Sequence, residues 1–166
     1  MAKIKVNPEA IAENPFELIG KDWFLLTAGT EADGYNFMTC SWGAMGVLWN
    51  MPSVTCYVRH SRHTFSFMEK QDTFTLSFFG KEQRKALGFA GSHSGRDCDK
   101  LAETGLHPIT LKEGVSFEEA KLILVCRKRF ASDLAIADLP KDVAAQFYAD
   151  GDTHRMYIGE IIAAYM

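Results

Sequence analysis

The stretch GYNFMTCSWGAMGVLWNMP, residues 34–52, decides the fold. Its first half alternates, so that Phe37, Thr39 and Ser41 fall on one side of an extended strand and their neighbours on the other. Two glycines then follow among bulky apolar residues. A strand edge that carries hydroxyl groups, next to glycines and tryptophans, suits a flat aromatic ligand with a polar rim. Considered alone, the stretch is more typical of a core strand with a bulge.

Short strands dominate the chain on both sides of this stretch. Residues 23–27 and 53–59 have the apolar and β-branched pattern of strands, and residues 31–34 end in Asp-Gly, a hairpin signal. Further strands are predicted over residues 72–79, 117–130 and 155–162, and helices over residues 61–70, 81–89, 97–103 and 143–148. Strands and helices do not alternate regularly, so the pattern predicts a mainly β fold, a barrel with a short helical excursion.

Bulk composition predicts one domain over residues 1–166, with residues 1–14 as an N-terminal arm. The net charge of −3 and the absence of a long Lys/Arg run argue against nucleic acid as a partner. No apolar run approaches the ~20 residues that span a bilayer, which argues against a membrane partner. The N-terminus lacks the apolar core of a secretory signal, and the four cysteines form no zinc pattern. We therefore expect a cytoplasmic protein with reduced thiols.

Residues 59–64, RHSRHT, are the first candidate for binding a charged group. They lie where a strand passes into a helix, so free backbone N–H groups are expected to point outward. Arg59 and Arg62 add positive charge, and Ser61 and Thr64 add hydroxyl donors, with Ser61 also a candidate N-cap. This combination suits a phosphate. The alternative is an ordinary capped helix with solvated arginines.

Residues 91–97, GSHSGRD, form the second candidate. Ser92, His93 and Ser94 are polar groups suited to a ligand, and Lys100 follows one helical turn later. The alternative is a double helix cap, in which Gly91 closes one helix and Asp97 opens the next. Both interpretations are compatible with each other.

Taken together, the run MTCSWG (residues 38–43), residues 59–64, residues 77–79 and residues 91–97 resemble the flavin reductase-like family of FMN-binding split β-barrels. That family includes flavoredoxin-type proteins and the reductase components of two-component monooxygenases. The resemblance covers residues 14–163. It implies a split barrel of Greek-key type that binds FMN, with the phosphate at residues 59–64 and the backbone of residues 39–42 along the pyrimidine side of the flavin. It also implies a homodimer, with the flavin near the subunit boundary.

The resemblance further implies a set of cofactor-binding residues. These are Asn36, Thr39, Cys40, Ser41, Trp42, Arg59, Ser61, Arg62, Thr64, Ser77, Phe78, Phe79, Ser92, His93, Ser94, Lys100 and Tyr157. Cys40 is expected to pack against neighbours rather than to act as a reactive thiol. His154, in a segment that resembles the family's Gly-Asp-His…Ile-Gly-Glu with Thr153 inserted, is the catalytic candidate. A pKa near neutrality would let it deliver a proton or bind a nicotinamide.

The implied function is that of an oxidoreductase that passes electrons from NAD(P)H through FMN to an acceptor, either free flavin, a partner protein or an iron centre. The chain has no G-x-G-x-x-G, so a nicotinamide would bind against the flavin rather than in its own domain. One alternative is a flavoredoxin-like electron carrier without direct NAD(P)H chemistry. Another is a non-catalytic flavin-binding or haem-binding module, with His60, His63, His93 and His154 as candidate haem ligands. A pyridoxamine-phosphate-oxidase-like enzyme fits the second candidate loop poorly.

Overall fold

The computed structural model describes residues 2–166, and the fold is mainly β, as predicted. Its strands and helices follow in chain order as β1 Lys5–Val6, β2 Phe24–Thr30, β3 Gly34–Cys40, β4 Gly43–Leu48, β5 Met51–Arg59, α1 His63–Lys70, β6 Thr73–Phe78, α2 Arg84–Ser92, α3 Lys100–Thr104, β7 Pro108–Leu111, β8 Gly114–Phe117, β9 Leu122–Asp133, α4 Lys141–Phe147 and β10 His154–Tyr165. A π-helical turn, Phe16–Lys21, precedes β2. Within the described part of the chain, no helix is long and apolar enough to cross a bilayer.

The main sheet has the strand order β3-β2-β6-β9-β10-β5-β4, and all neighbouring pairs are antiparallel. The strands β3 and β4 end this order at opposite sides, although only Ser41 and Trp42 separate them in the chain. Over residues 2–166 no ladder joins β3 to β4, so the barrel is split at this corner. The small hairpin of β7 and β8 forms a separate sheet.

The last strand, β10, holds the two halves of the sheet together. Its first seven residues pair with β5, its last two pair with β1, and β9 runs along nearly all of it. The β9–β10 ladder shifts register after Ile158 and again after Ile161, which bends both strands. Gly159 sits in the first bend, where an added Cβ would lie 2.6 Å from the ring of Phe74. The bend therefore leaves no space for a side chain at this position.

Two apolar clusters form the core, one on each face of the sheet. Phe24 and Leu26 face the barrel interior, whereas Leu25 faces the cluster beneath α2. Because side chains alternate along a strand, β2 is buried on both faces, which explains its continuous apolar run. The second cluster attaches α2 to the sheet and so fixes the helical excursion next to β3.

Three features differ from the sequence predictions. The N-terminal arm is docked, since Lys5 and Val6 pair with the end of β10 and Lys3 donates to the Ala120 carbonyl. A tight hairpin joins β4 to β5 through Trp49 and Asn50, which have φ angles of 52° and 58°. This is the backbone that two-residue hairpins favour, although Trp rarely adopts it. The β7–β8 hairpin was not predicted either.

Candidate functional site

A groove opens at the corner where β3 turns into β4, with a volume of about 250 Å³. Residues 38–42 line one side of it, and Tyr57, Arg59, Arg62 and His154 line the rest. We call it the corner groove. Because β3 ends the strand order, one edge of its backbone has no ladder partner and is free to bond the rim of a ligand. The predicted ring-edge residues, Thr39 to Trp42, all line this groove.

The side chains of these four residues serve different purposes. The Thr39 hydroxyl donates to the Leu87 carbonyl of α2 at 2.6 Å, so it fixes β3 to the helix and leaves its backbone for a ligand. Cys40 is 6% exposed and packs into the barrel core. Burial raises the pKa of its thiol to about 12, which keeps it neutral and agrees with a packing role. Trp42 is 43% exposed and offers the groove a flat apolar wall.

His154 stands at the first position of β10, inside the corner groove. Its Nδ1 lies 2.7 Å from the Tyr148 hydroxyl, and its ring centroid lies 5.2 Å from that of Trp42. Burial, together with the positive charge of Arg59, lowers the pKa of His154 to about 4. The expectation of a pKa near neutrality is therefore wrong. At pH 7 the imidazole is neutral, and it acts as a hydrogen-bonding group rather than as a proton-donating imidazolium.

A second hollow, of about 170 Å³, has one lining residue, Arg62, in common with the corner groove. We call it the cation pocket. Its lining is Asn36, Ser61, Arg62, His63, Thr64, Ser92, His93, Ser94, Arg96 and Lys100. The two candidate segments of the sequence, residues 59–64 and 91–97, thus meet in space. The structure brings together eight of the predicted binding residues here, in a cluster of hydroxyl groups and cations.

The cations of this pocket have no acidic partner. Over residues 2–166, neither Arg62, Arg96 nor Lys100 forms an ion pair. Arg62 and Lys100 both donate to the Ala90 carbonyl at the end of α2, at 3.4 and 3.0 Å. Lys100 is only 4% exposed, and burial together with the charge of Arg62 lowers its pKa to about 8. Like charges held this close repel each other, and a bound anion would relieve that repulsion.

Polar groups around the cations complete a site that suits a phosphate. The buried Nδ1 of His63 has no hydrogen-bond partner within the described chain. The buried hydroxyl of Thr64 accepts from Asn36 Nδ2 at 2.7 Å, which fixes both side chains. Gly95 packs so closely that an added Cβ would lie 2.3 Å from Asn36 Oδ1. A side chain at this position would therefore displace Asn36, whose amide holds the Thr64 hydroxyl in the pocket wall. The residues present fit the phosphate end of FMN.

Four predicted binding residues lie away from the groove and the pocket. Ser77 is fully buried, and its hydroxyl bonds that of Ser116 at 2.8 Å. Phe78 and Phe79 belong to the two core clusters. These placements correct the prediction, because β6 lies in the middle of the sheet and is covered on both faces. Tyr157 is also buried, and its hydroxyl donates to Glu69 at 2.6 Å.

Two further predictions about residues 59–64 change. The Arg59 guanidinium donates to the Phe147 carbonyl at 2.9 Å and to the Asp152 carbonyl, and it lines the corner groove rather than the cation pocket. Ser61 is not the N-cap of α1, which is Arg62 and makes no side-chain cap. The Ser61 hydroxyl instead donates to the Asp152 carboxylate at 2.6 Å, at the rim of the pocket.

Sequence reasoning missed Met38, Tyr57, His63 and Arg96 as lining residues. His63 and Arg96 lie inside the two candidate segments, so the segments themselves were the signal, and only the choice of side chains was incomplete. Tyr57 reaches the groove because β5 pairs with the start of β10, opposite Met156. That pairing has no local signature in the sequence.

Solved structures share this architecture. An FMN-binding domain of a flavin reductases-like enzyme from Shewanella baltica matches with a TM-score of 0.70 and 18% identity, over 99% of this chain and 76% of the other. A flavoredoxin from Methanosarcina acetivorans matches with a TM-score of 0.67 and 23% identity, over 99% and 75%. An NADH:FAD oxidoreductase from Streptomyces globisporus, in complex with NAD and FAD fragments, matches with a TM-score of 0.64 and 18% identity, over 86% and 73%. At these identities the likeness establishes the fold.

No curated protein sequence matches the chain. The family model described as "flavin reductase like domain" matches residues 18–166, which include every residue of the corner groove and the cation pocket. The chain therefore belongs to the flavin reductase-like domain family.

Proposed function

We propose that this protein is an FMN-binding oxidoreductase of the flavin reductase type, which passes electrons from NAD(P)H through the flavin to an acceptor. The observation that carries the proposal is that two unlike environments share Arg62 in their walls. On one side lies a groove with a tryptophan wall and an unpaired strand edge. On the other lies a cluster of cations that, within the described part of the chain, form no ion pair. A phosphorylated flat ring needs both environments, in this order.

In this proposal the phosphate of FMN is held by Arg62, Arg96 and Lys100, which supply charge, and by the hydroxyl groups of the cation pocket. Charge-assisted hydrogen bonds of this kind are about twice as strong as neutral ones, so they supply much of the affinity. The backbone of residues 39–42 bonds the polar rim of the ring, and Trp42 packs beside it. Partly buried Thr39 and buried Asn36 carry no charge, but their hydrogen bonds hold β3 to α2 and to α1, respectively.

When bound, FMN supplies acceptance of a hydride and release of electrons to an acceptor. The side chains of the corner groove orient the flavin ring and pack against it. Trp42 and Phe147 meet edge to face with centroids 5.2 Å apart, so Phe147 supports the tryptophan wall of the groove. His154 remains neutral there and offers a hydrogen bond. The donor assignment is supported by the Streptomyces relative, whose structure contains NAD fragments.

We also infer that the chain acts as one domain and assembles as a homodimer. The β4–β5 hairpin exposes Val47 and Trp49, which are 74% and 55% exposed. Large apolar side chains that project from an edge strand are typical of an interaction surface. Replacing both residues by lysine is expected to convert a dimer to a monomer in sedimentation velocity, without loss of the barrel. A wild-type protein that sediments as a monomer at high concentration would contradict the dimer.

The test of the proposed function starts with the spectrum of the protein after incubation with FMN and gel filtration. Retained FMN is the expected result. Addition of NADH or NADPH under anaerobic conditions should then bleach the flavin band faster than it bleaches free FMN. Retained FMN that neither nucleotide bleaches would favour the flavoredoxin-like electron carrier instead. Failure to retain or bind FMN at all would refute the proposal.

A further inference from the structure

We propose that Tyr148 is a positioning residue that holds His154 as a single tautomer, with the proton on Nε2 available to a hydrogen-bond acceptor of the ligand in the corner groove. The inference deepens the proposed function and rests on it for the identity of the ligand. The tautomer itself is a property of the protein alone. Neither Tyr148 nor its segment was a predicted site, because residues 134–150 are polar and mixed in sequence.

Tyr148 belongs to the segment that connects β9 to β10, and it lies immediately after α4. We call residues 134–153 the β9–β10 segment. No side chain of α4 itself is buried, whereas Tyr148 is only 6% exposed. Its hydroxyl lies 2.7 Å from His154 Nδ1, and the two rings meet edge to face with centroids 5.6 Å apart. The Tyr148 hydroxyl thus attaches the β9–β10 segment to the barrel through the imidazole of His154.

Arg59 fixes the β9–β10 segment in this position. Its guanidinium donates to the carbonyls of Phe147 and Asp152, on both sides of Tyr148, and lies 5.2 Å from the centroid of the Tyr148 ring. Arg59, which the sequence predicted to bind phosphate, therefore acts on His154 indirectly, because it holds Tyr148 in place. Its charge also disfavours a second proton on His154.

We infer the direction of this hydrogen bond from where the phenol proton can go. Burial raises the pKa of Tyr148, so the phenol keeps its proton at neutral pH. Over residues 2–166 that proton has no acceptor other than His154 Nδ1. The neutral imidazole carries one proton, so donation by the phenol to Nδ1 leaves that proton on Nε2. Nε2 has no partner in the described chain and is not sealed from solvent.

Most of the groups around His154 favour its neutral form. Trp42 and Tyr57 present rings to it, with centroids at 5.2 and 6.3 Å. The charged or titratable groups that act on it are Arg59, His60 and Asp152, and Asp152 alone favours the charged form. Asp152 is already bonded to Ser61 through its carboxylate, which satisfies part of its charge. A neutral donor is suited to the carbonyl oxygens or ring nitrogens of a heteroaromatic ligand, and it would favour the electron-rich reduced ring.

The experiment is nitrogen-15 NMR of the imidazole groups in the protein prepared without FMN. We expect His154 to show one protonated Nε2 and one unprotonated Nδ1, unchanged from about pH 6 to about pH 8, where an ordinary histidine titrates. In Tyr148→Phe the two signals should move toward each other, as the tautomers exchange. Tyr57→Phe is the matched control, because Tyr57 lies beside the same imidazole without a hydrogen bond to it, and its spectrum should match the wild type.

A wild-type spectrum with the proton on Nδ1, or with both nitrogens protonated near pH 7, would overturn the proposal. So would a Tyr148→Phe spectrum identical to the wild type. The wild-type measurement alone decides the tautomer if the variant fails to fold. With FMN bound, Tyr148→Phe should also lower the midpoint potential of the flavin relative to the wild type. Failure of the proposed function would appear as absent FMN binding, which leaves the NMR result intact.

Discussion

Replacing Arg62 by glutamine tests whether the cation pocket binds the phosphate of FMN. Arg62 lines both the corner groove and the cation pocket, and it donates to the Gly91 carbonyl at 2.8 Å. Glutamine keeps a planar donor and removes the charge. The loss of one charge-assisted hydrogen bond costs about 1.5–3 kcal/mol. At about 1.4 kcal/mol per tenfold change, the Kd for FMN should rise about 10- to 100-fold.

The assay is a fluorescence titration with FMN and, in parallel, with riboflavin, which has the same ring but no phosphate. The Kd for riboflavin should change less than about threefold, because the ring contacts remain. Arg84→Gln is the matched control: Arg84 also donates to a backbone carbonyl, that of Lys21, but lies outside both cavities. Equal losses for FMN and riboflavin in Arg62→Gln, or an equal loss of FMN binding in Arg84→Gln, would refute the reasoning.

Three further predictions concern single residues. The affinity for FMN should fall as the pH rises through about 8, because Lys100 has its pKa lowered to about 8 and is cationic only below that pH; calorimetry in two buffers should show proton uptake on binding near pH 9, and Lys100→Met should lose it. Gly95→Ala should weaken FMN binding roughly tenfold, because its Cβ would meet Asn36 Oδ1 at 2.3 Å, whereas Gly88→Ala, with no atom within 4 Å of the added Cβ, should bind FMN normally. Cys40 should not react with iodoacetamide in the native protein at pH 8, because burial raises its thiol pKa to about 12. Mass spectrometry of the native protein should find no adduct at this residue. Rapid alkylation would show that the Cys40 thiol is exposed to solvent.

The sequence predicted most of the fold because its strands carry strong local signals. The alternation after Gly34 and the β-branched run before Arg59 correspond to β3 and β5. The Asp-Gly turn correctly marked the β2–β3 hairpin. The β4–β5 hairpin was missed because its turn uses Trp49, a residue with no turn preference. The stability of that turn comes from the pairing of the strands on either side, which a local pattern does not report.

The sequence indicated which segments form the candidate site better than it indicated which side chains of those segments line it. Residues 59–64 and 91–97 do meet. Only the fold shows that Arg96 lines the cation pocket, whereas Arg59 contacts the β9–β10 segment. Ser77 and Phe79 occupy a segment that resembles the family's, yet they point into the core because β6 is central in the sheet. The direction of a side chain depends on which faces its strand buries, and that depends on tertiary pairing. The role proposed for Tyr148 was missed although His154 is only six residues away, because distant Arg59 holds the intervening segment in place.

The most direct test of the central claim is a crystal structure of the wild-type protein with FMN. The account predicts the phosphate within hydrogen-bond distance of Arg62 and Arg96, and the rim of the ring against the backbone of residues 39–42. FMN bound with its phosphate in solvent, or with its ring outside the corner groove, would contradict the account.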